Sequence, residues 1–210
     1  MKLASLNDGS PEGRLVVVSR DLTLCADARH IAPTLGAALA DWAEVAPELE
    51  RIASGVESGG QPVERFHERL ARAPLVGTAA DPRAGIRLDG AAVELPIGLL
   101  LLPADPAHPG ARLFALACGD AVSPAAVSID ELAAGATLVV TQGAAAPERS
   151  AASFDPAAHA GGVVPIAPAQ RLRAGETLRV ELRDAAGHSI FGAIERLAEP
   201  GHAVAVAADP

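Results

Sequence analysis

The fold class is decided by one stretch near the end of the chain, Leu178-Arg179-Val180-Glu181-Leu182-Arg183, followed by Asp184-Ala185-Ala186-Gly187 and His188-Ser189-Ile190-Phe191-Gly192-Ala193-Ile194-Glu195. The first six residues alternate strictly between apolar and charged side chains, which is the period of a half-buried strand. Asp-Ala-Ala-Gly is typical of a turn, and the residues after it have the character of a partner strand. The stretch therefore predicts an antiparallel β-hairpin.

The amino-terminal residues predict a second hairpin by the same logic. Lys2–Leu6 alternates, Asp8-Gly9 lies in the connecting loop, and Arg14–Ser19 forms the returning strand. The apolar run Ile97–Leu102 is bounded by prolines and is too short for a membrane helix, so it predicts a buried strand. The full set of strands expected after residue 82 and before the closing hairpin is Gly85–Leu88, Val93–Leu102, Arg112–Cys118, Ala125–Ile129 and Thr137–Thr141, with Ala144–Gly162 as the least structured segment.

Helical periodicity occurs only in the first third of the chain. Thr34 occupies an N-cap position, and the apolar residues from Leu35 to Ala46 recur at helical spacing with Trp42 on the apolar face. Pro47 is expected to interrupt this helix, with Glu48–Ala53 as a second turn or a kinked extension. Two further expectations are a loop over Ser54–Pro62 and a short helix over Glu64–Ala71. Together these patterns predict an α+β protein that is mostly β.

Composition excludes several classes of function. The net charge of −9 repels phosphate backbones, so we expect no nucleic-acid partner. Aromatic residues make up only 2% of the chain, which predicts a core of Ala, Val and Leu. No apolar run approaches the roughly 20 residues that span a bilayer, so we expect no membrane partner. The start of the chain shows no secretory signal, which predicts a cytoplasmic location, and Cys25 and Cys118 are expected to be reduced and buried.

Two long segments resemble the fumarylacetoacetate hydrolase family. The first begins Met1-Lys2-Leu3-Ala4-Ser5-Leu6-Asn7-Asp8-Gly9 and continues through Gly13–Leu22 and Ile31–Pro47. The second consists of Gly175–Asp184 and Gly187–Glu195 and is similar to the closing hairpin of that family. The resemblance covers about half of the chain.

Family membership implies a definite layout. The expected units are an amino-terminal domain over 1–76 with a small β-barrel-like form and a helix, a shortened β-sandwich or β-roll core over 77–200, and a tail over 201–210. The resemblance also implies a homodimer and Mg²⁺ or Ca²⁺ chemistry on β-diketo or 2-oxo acids. These substrates would undergo carbon–carbon bond hydrolysis or decarboxylation.

The metal ligands of the family are matched only in part. The family has a Glu-x-Glu pair on a strand, whose alternate residues point to one face. Here Glu94 stands at the first position, but Pro96 occupies the second. Asp120, which follows an apolar stretch, resembles the later ligand, and no counterpart is found for the early Asp or the catalytic His. Further carboxylates that could complete a site are Asp89, Asp105 and Asp130.

Other reactive residue types lack a motif. His67 and His188 have no partner at motif spacing, and Ser19 and Ser123 are not part of a Gly-x-Ser-x-Gly sequence. No phosphate-binding glycine loop is present.

The sequence leaves three functions open, of which the third is a pure assembly role. The first is a degenerate family member without full catalytic activity or a resident cofactor, which binds a small 2-oxo acid or a partner subunit. The second is an active Mg²⁺-dependent hydrolase or decarboxylase that uses Glu94, Asp120 and further acids.

Overall fold

A computed structural model describes residues 1–72, 83–88, 90–102, 113–132, 136–152 and 162–200. Within these ranges the chain is α+β and mostly β, as predicted. The elements, in chain order, are β1 (Lys2–Leu6), β2 (Arg14–Val18), β3 (Leu24–Asp27), α1 (Leu35–Ala40), α2 (Trp42–Ser58), β4 (Glu64–Arg65), β5 (Ala71–Arg72), β6 (Ile86–Arg87), β7 (Ala92–Leu102), β8 (Leu113–Cys118), β9 (Ala121–Ser128), β10 (Thr137–Gln142), β11 (Glu148–Ala151), β12 (Gly162–Arg173), β13 (Thr177–Arg183) and β14 (Ile194–Glu199).

The strands of the described residues form two sheets. The larger has the order β12-β7-β8-β9-β1-β2-β3-β4, with β5 also paired to β1, and the smaller has the order β11-β10-β13-β14-β6. The ladders are antiparallel except that between β14 and β6. β1 pairs with β9, so that Leu3 lies opposite Ala126. One continuous sheet therefore joins the amino-terminal strands to those of the expected core.

The amino-terminal strands partly surround a small apolar cluster. Ala4, Leu6, Val16, Val18 and Phe66 are among its members. β5 returns to β1, but no ladder joins β4 to β5 within the described residues, so the barrel-like form expected here remains an open sheet.

Both faces of β1 are covered. Leu3 packs in the cluster beneath the helices, whereas Ala4 packs in the cluster enclosed by the amino-terminal strands. All five residues of β1 are consequently buried, and these include the polar Lys2 and Ser5.

The first helix begins where the sequence predicts, but the break that follows it lies at a different residue. The Thr34 side chain accepts a hydrogen bond from the Ala37 amide and caps α1. The break falls at Asp41, and α2 continues through Pro47. The expected interruption at Pro47 is therefore wrong, and the extension over Glu48–Ala53 is confirmed. Pro47 lies in the second turn of α2, where it removes one backbone hydrogen bond, and the buried Leu49, Ile52 and Val56 hold the helix against the sheet.

Two further local predictions are wrong in part. The helix α2 includes Ser54–Ser58, since Val56 is buried, and it ends where Gly59 adopts a φ of +73°. The region Glu64–Ala71 holds two short strands and one turn of 3₁₀ helix at Glu68–Leu70 instead of an α-helix. Cys25 pairs with Glu64 in the sheet, and this long-range pairing overrides the local helical propensity. In the described parts of the chain, no helix combines the length and apolar character needed to cross a bilayer.

The strand β12 was not predicted. It contains Pro165 and Pro168, which cannot donate to a ladder, and it lies at the edge of the larger sheet, where proline is tolerated. β11 lies in the segment expected to be least structured, and residues 153–161 of that segment lie outside the described ranges.

The closing hairpin is confirmed in part, because its second strand is Ile194–Glu199 instead of the predicted His188–Glu195. Val180 pairs with Ile194, and the residues between form a bridge from Arg183 to Ser189 and a turn at Gly192 with a φ of +81°. The largest apolar cluster lies between the two sheets and contains Leu95, Ile97, Phe191 and Ile194. Cys25 and Cys118 are free and buried, and burial raises the pKa of each thiol to about 11.

Candidate functional site

Glu94 lies near the beginning of β7 and is exposed. Its neighbours Leu95 and Ile97 point into the cluster between the sheets, whereas Glu94 and Pro96 share the outer face. This is the geometry that a Glu-x-Glu pair requires, with a proline at the second position. Glu94 lies opposite Arg171 of β12 in the ladder.

Asp120 lies in the turn between β8 and β9. Gly119 adopts a φ of +62°, and its amide donates to the carbonyl of Pro96 at 2.9 Å, which fixes the turn against β7. A side chain at Gly119 would also approach Leu95, since a Cβ there would lie 2.8 Å from its Cδ2. The local fold thus holds Asp120 in one place.

The partner of Asp120 is Arg196 of β14. The Arg196 Nη1 donates to the Asp120 Oδ1 at 2.8 Å, and the Arg196 side chain is only 2% exposed whereas that of Asp120 is 68% exposed. β14 alternates between buried and exposed residues, so Arg196 shares a face with Ile194 and Ala198, which both belong to the cluster between the sheets. Asp120 is therefore the counter-ion of a buried guanidinium.

The two candidate ligands face different sides of β7. Arg196, and with it Asp120, lies on the side of the buried Leu95, whereas Glu94 projects from the opposite face of the strand. Asp130 is held elsewhere, 3.3 Å from the nitrogen of Met1. Asp89 and Asp105 lie outside the described residues.

The described residues do not fit the divalent cation that the resemblance implies. Mg²⁺ and Ca²⁺ need several oxygen ligands that converge on one point. Within the described ranges, no three His, Cys, Asp or Glu side chains are grouped in this way. Glu94 and Asp120 as metal ligands remain a prediction from the sequence.

The remaining candidates have structural contacts. The Ser123 hydroxyl donates to the carbonyl of Ala125 and accepts from the amide of Leu116 at a bulge between β8 and β9. The Ser19 hydroxyl donates to Asp21 at 2.6 Å within a turn. His67 and His188 are exposed, and the nearest acidic atom to the His188 imidazole is 3.7 Å away, on Asp184.

Sequence reasoning missed the arginine that binds Asp120. The signal was the alternation of the last strand. Arg196 lies on the same face of the strand as the apolar residues Ile194 and Ala198. An arginine on the buried face of a strand needs a counter-ion. Here the counter-ion is Asp120, in a turn that is distant in sequence.

A family model described as fumarylacetoacetase N-terminal domain 2 matches residues 1–76. Over this segment the chain is similar to the fumarylacetoacetate hydrolase family, which supports a relationship to that family. The matched segment contains β1 to β5 and both α-helices, so the relationship rests on the amino-terminal strands and the helices that cover them. A comparison with curated proteins gives no match.

Proposed function

We propose that this relative of the fumarylacetoacetate hydrolase family is a folded binding scaffold without the family's metal-dependent catalysis, and that its ligand is a small carboxylic acid such as a 2-oxo acid. The Asp120–Arg196 ion pair carries this proposal. A divalent cation at Asp120 would have to share this carboxylate with a guanidinium that has almost no access to water. The nearby positive charge opposes the cation, and losing the carboxylate to it would leave the guanidinium buried without a counter-ion.

A titration with metal tests this proposal. Because Asp120 neutralises Arg196 and Pro96 supplies no carboxylate, we expect calorimetry with Mn²⁺ to show no saturable binding below about 1 mM. The variant Asp120→Asn should give the same result. Micromolar binding that this variant abolishes, together with turnover of an acylpyruvate, would contradict the proposal and favour the active hydrolase.

A groove on the outer face of the smaller sheet suits a small acid. It is a cavity of about 450 Å³, and its lining includes Arg83, Thr141, Thr177, Arg179 and Glu195. Arg179 forms ion pairs with Glu195 and with the buried Glu181, which also binds Arg183. A ligand carboxylate could replace the half-exposed Glu195 at the guanidinium of Arg179 and form a bidentate pair.

Two substitutions with opposite expected effects on acid binding test this groove. Arg179→Gln should weaken binding of pyruvate about tenfold or more, since a charge-assisted hydrogen bond contributes about 1.5–3 kcal/mol. Glu195→Gln should strengthen binding, because it removes the competing carboxylate. Arg51→Gln, which alters an exposed ion pair on α2, serves as the control. Equal affinities for all four proteins in calorimetry, or no binding by any of them, would refute the groove as the acid site.

A further inference from the structure

Lys2 is the sole lysine of the chain, since all the others among its 17 lysines and arginines are arginines. The two residue types differ in chemistry. The guanidinium of arginine stays charged in proteins, whereas the amine of a buried lysine can lose its proton and become a nucleophile. A single lysine in a buried position therefore invites a chemical explanation.

The hydrogen-bond partners of Lys2 suffice for a neutral amine. Its side chain is 3% exposed, and the Nζ donates to the carbonyls of Arg20 at 2.6 Å and Ser189 at 3.0 Å. A neutral amine has two N–H groups, which these two carbonyls satisfy. An ammonium has three, and the third has no protein acceptor within the part of the chain that the structure describes.

Burial also favours the neutral form. It lowers the pKa of Lys2 to about 8, although acidic groups from four segments oppose this shift. These groups are Glu131 after β9, Asp184 after β13, Asp21 after β2, and Glu57 on α2. Desolvation outweighs their attraction because the amine is removed from water.

A cavity of about 370 Å³ lies against this residue. Its volume is in the range of small-molecule sites. Besides Met1, Lys2, Val18 and Arg20, its lining includes four acids, Glu50, Glu57, Asp130 and Glu131, and the Met1 ammonium pairs with the last two of them. Glu131 already binds Arg20, with 3.3 Å between its Oε1 and the Arg20 Nε. The lining therefore disfavours anionic molecules and favours neutral or cationic ones.

We infer that Lys2 is a nucleophilic amine that reversibly captures a small neutral or cationic aldehyde as an imine. The Nζ lone pair forms a bond to the carbonyl carbon, and one Nζ proton is transferred to the carbonyl oxygen. The resulting carbinolamine loses water and leaves a carbon–nitrogen double bond. Hydrolysis reverses both steps, and no oxidant or reductant is needed. This site is separate from the groove on the smaller sheet.

Reductive trapping tests the inference. The full chain is treated at pH 8 with cyanoborohydride and either betaine aldehyde, propanal or glyoxylate, and the adducts are located by mass spectrometry of the peptide that contains residues 1–12. Rates are divided by those of Nα-acetyl-lysine with the same aldehyde, which removes differences in intrinsic reactivity. We expect one adduct on Lys2, with betaine aldehyde and propanal each at least about tenfold above the reference, because a larger fraction of Lys2 is neutral at this pH. Glyoxylate should show no enhancement.

Controls separate chemistry from folding. Lys2→Arg keeps the positive charge and should show no adduct at position 2, and its folding is checked by circular dichroism. Should that variant not fold, the pH profile of the unaltered chain decides, with a midpoint near the lowered pKa rather than near 10.5. A rate no higher than the reference, an adduct only on the Met1 nitrogen, or greatest enhancement with glyoxylate would overturn the inference.

Discussion

Replacing Asp120 with alanine is expected to lower the free energy of unfolding by about 3 kcal/mol, which is large for a residue that is mostly exposed. The cost falls on Arg196, which remains buried without its counter-ion. The Nε of Arg196 already has no hydrogen-bond partner among the described residues, so the guanidinium depends on Asp120. Urea denaturation followed by circular dichroism measures the loss.

The matched control is an exposed ion pair of the same charge types. Glu48→Ala removes the partner of Arg51 on α2, where both side chains are more than half exposed. We expect this variant to change the free energy of unfolding by less than about 0.5 kcal/mol. A loss for Asp120→Ala no larger than that of the control would show that the buried arginine does not need the carboxylate.

Replacing Gly98 with alanine is expected to cost about 2–3 kcal/mol or to detach β12 from β7. A Cβ at Gly98 would lie 2.6 Å from the carbonyl oxygen of Val164 and 2.5 Å from the Cγ1 of Val163. The first of these contacts is with backbone, which cannot move without disturbing the ladder. The effect is steric, because Gly98 does not adopt a left-handed conformation.

Gly36 offers the control for this substitution. It lies in α1, and a Cβ there would meet its nearest neighbour, Glu12, at an ordinary distance of 3.6 Å. Gly36→Ala should therefore stabilise the protein by about 0.5–1 kcal/mol through helix propensity. Equal stability of the two alanine variants in urea denaturation would contradict the close approach of β12 to Gly98.

Local patterns predicted the strands that pair with near neighbours. The closing hairpin and the hairpin of β1 and β2 both have apolar alternation and a turn sequence between their strands. β12 escaped prediction because its prolines are compatible with a strand only at a sheet edge, and an edge is a property of the assembled sheet. Similarly, β4 forms because Cys25 lies opposite Glu64, which no local pattern shows.

The site was predictable only in its residue types. Pro96, at the second position of the expected Glu-x-Glu pair, is visible in the sequence and indicates that a ligand is missing. The role of Asp120 was not visible, because its partner lies 76 positions away and reaches it only when the two sheets pack together. The contacts of Lys2 were equally unpredictable, because its two carbonyl acceptors belong to a turn after β2 and to the loop before β14.

Asp120 serves as the counter-ion of the buried Arg196. A double-mutant cycle with Asp120→Ala, Arg196→Met and the double variant tests it most directly. We predict a coupling free energy of at least about 2 kcal/mol, with the double variant more stable than Asp120→Ala alone, because methionine needs no counter-ion. A coupling below about 0.5 kcal/mol, with independent effects of the two substitutions, would contradict the account.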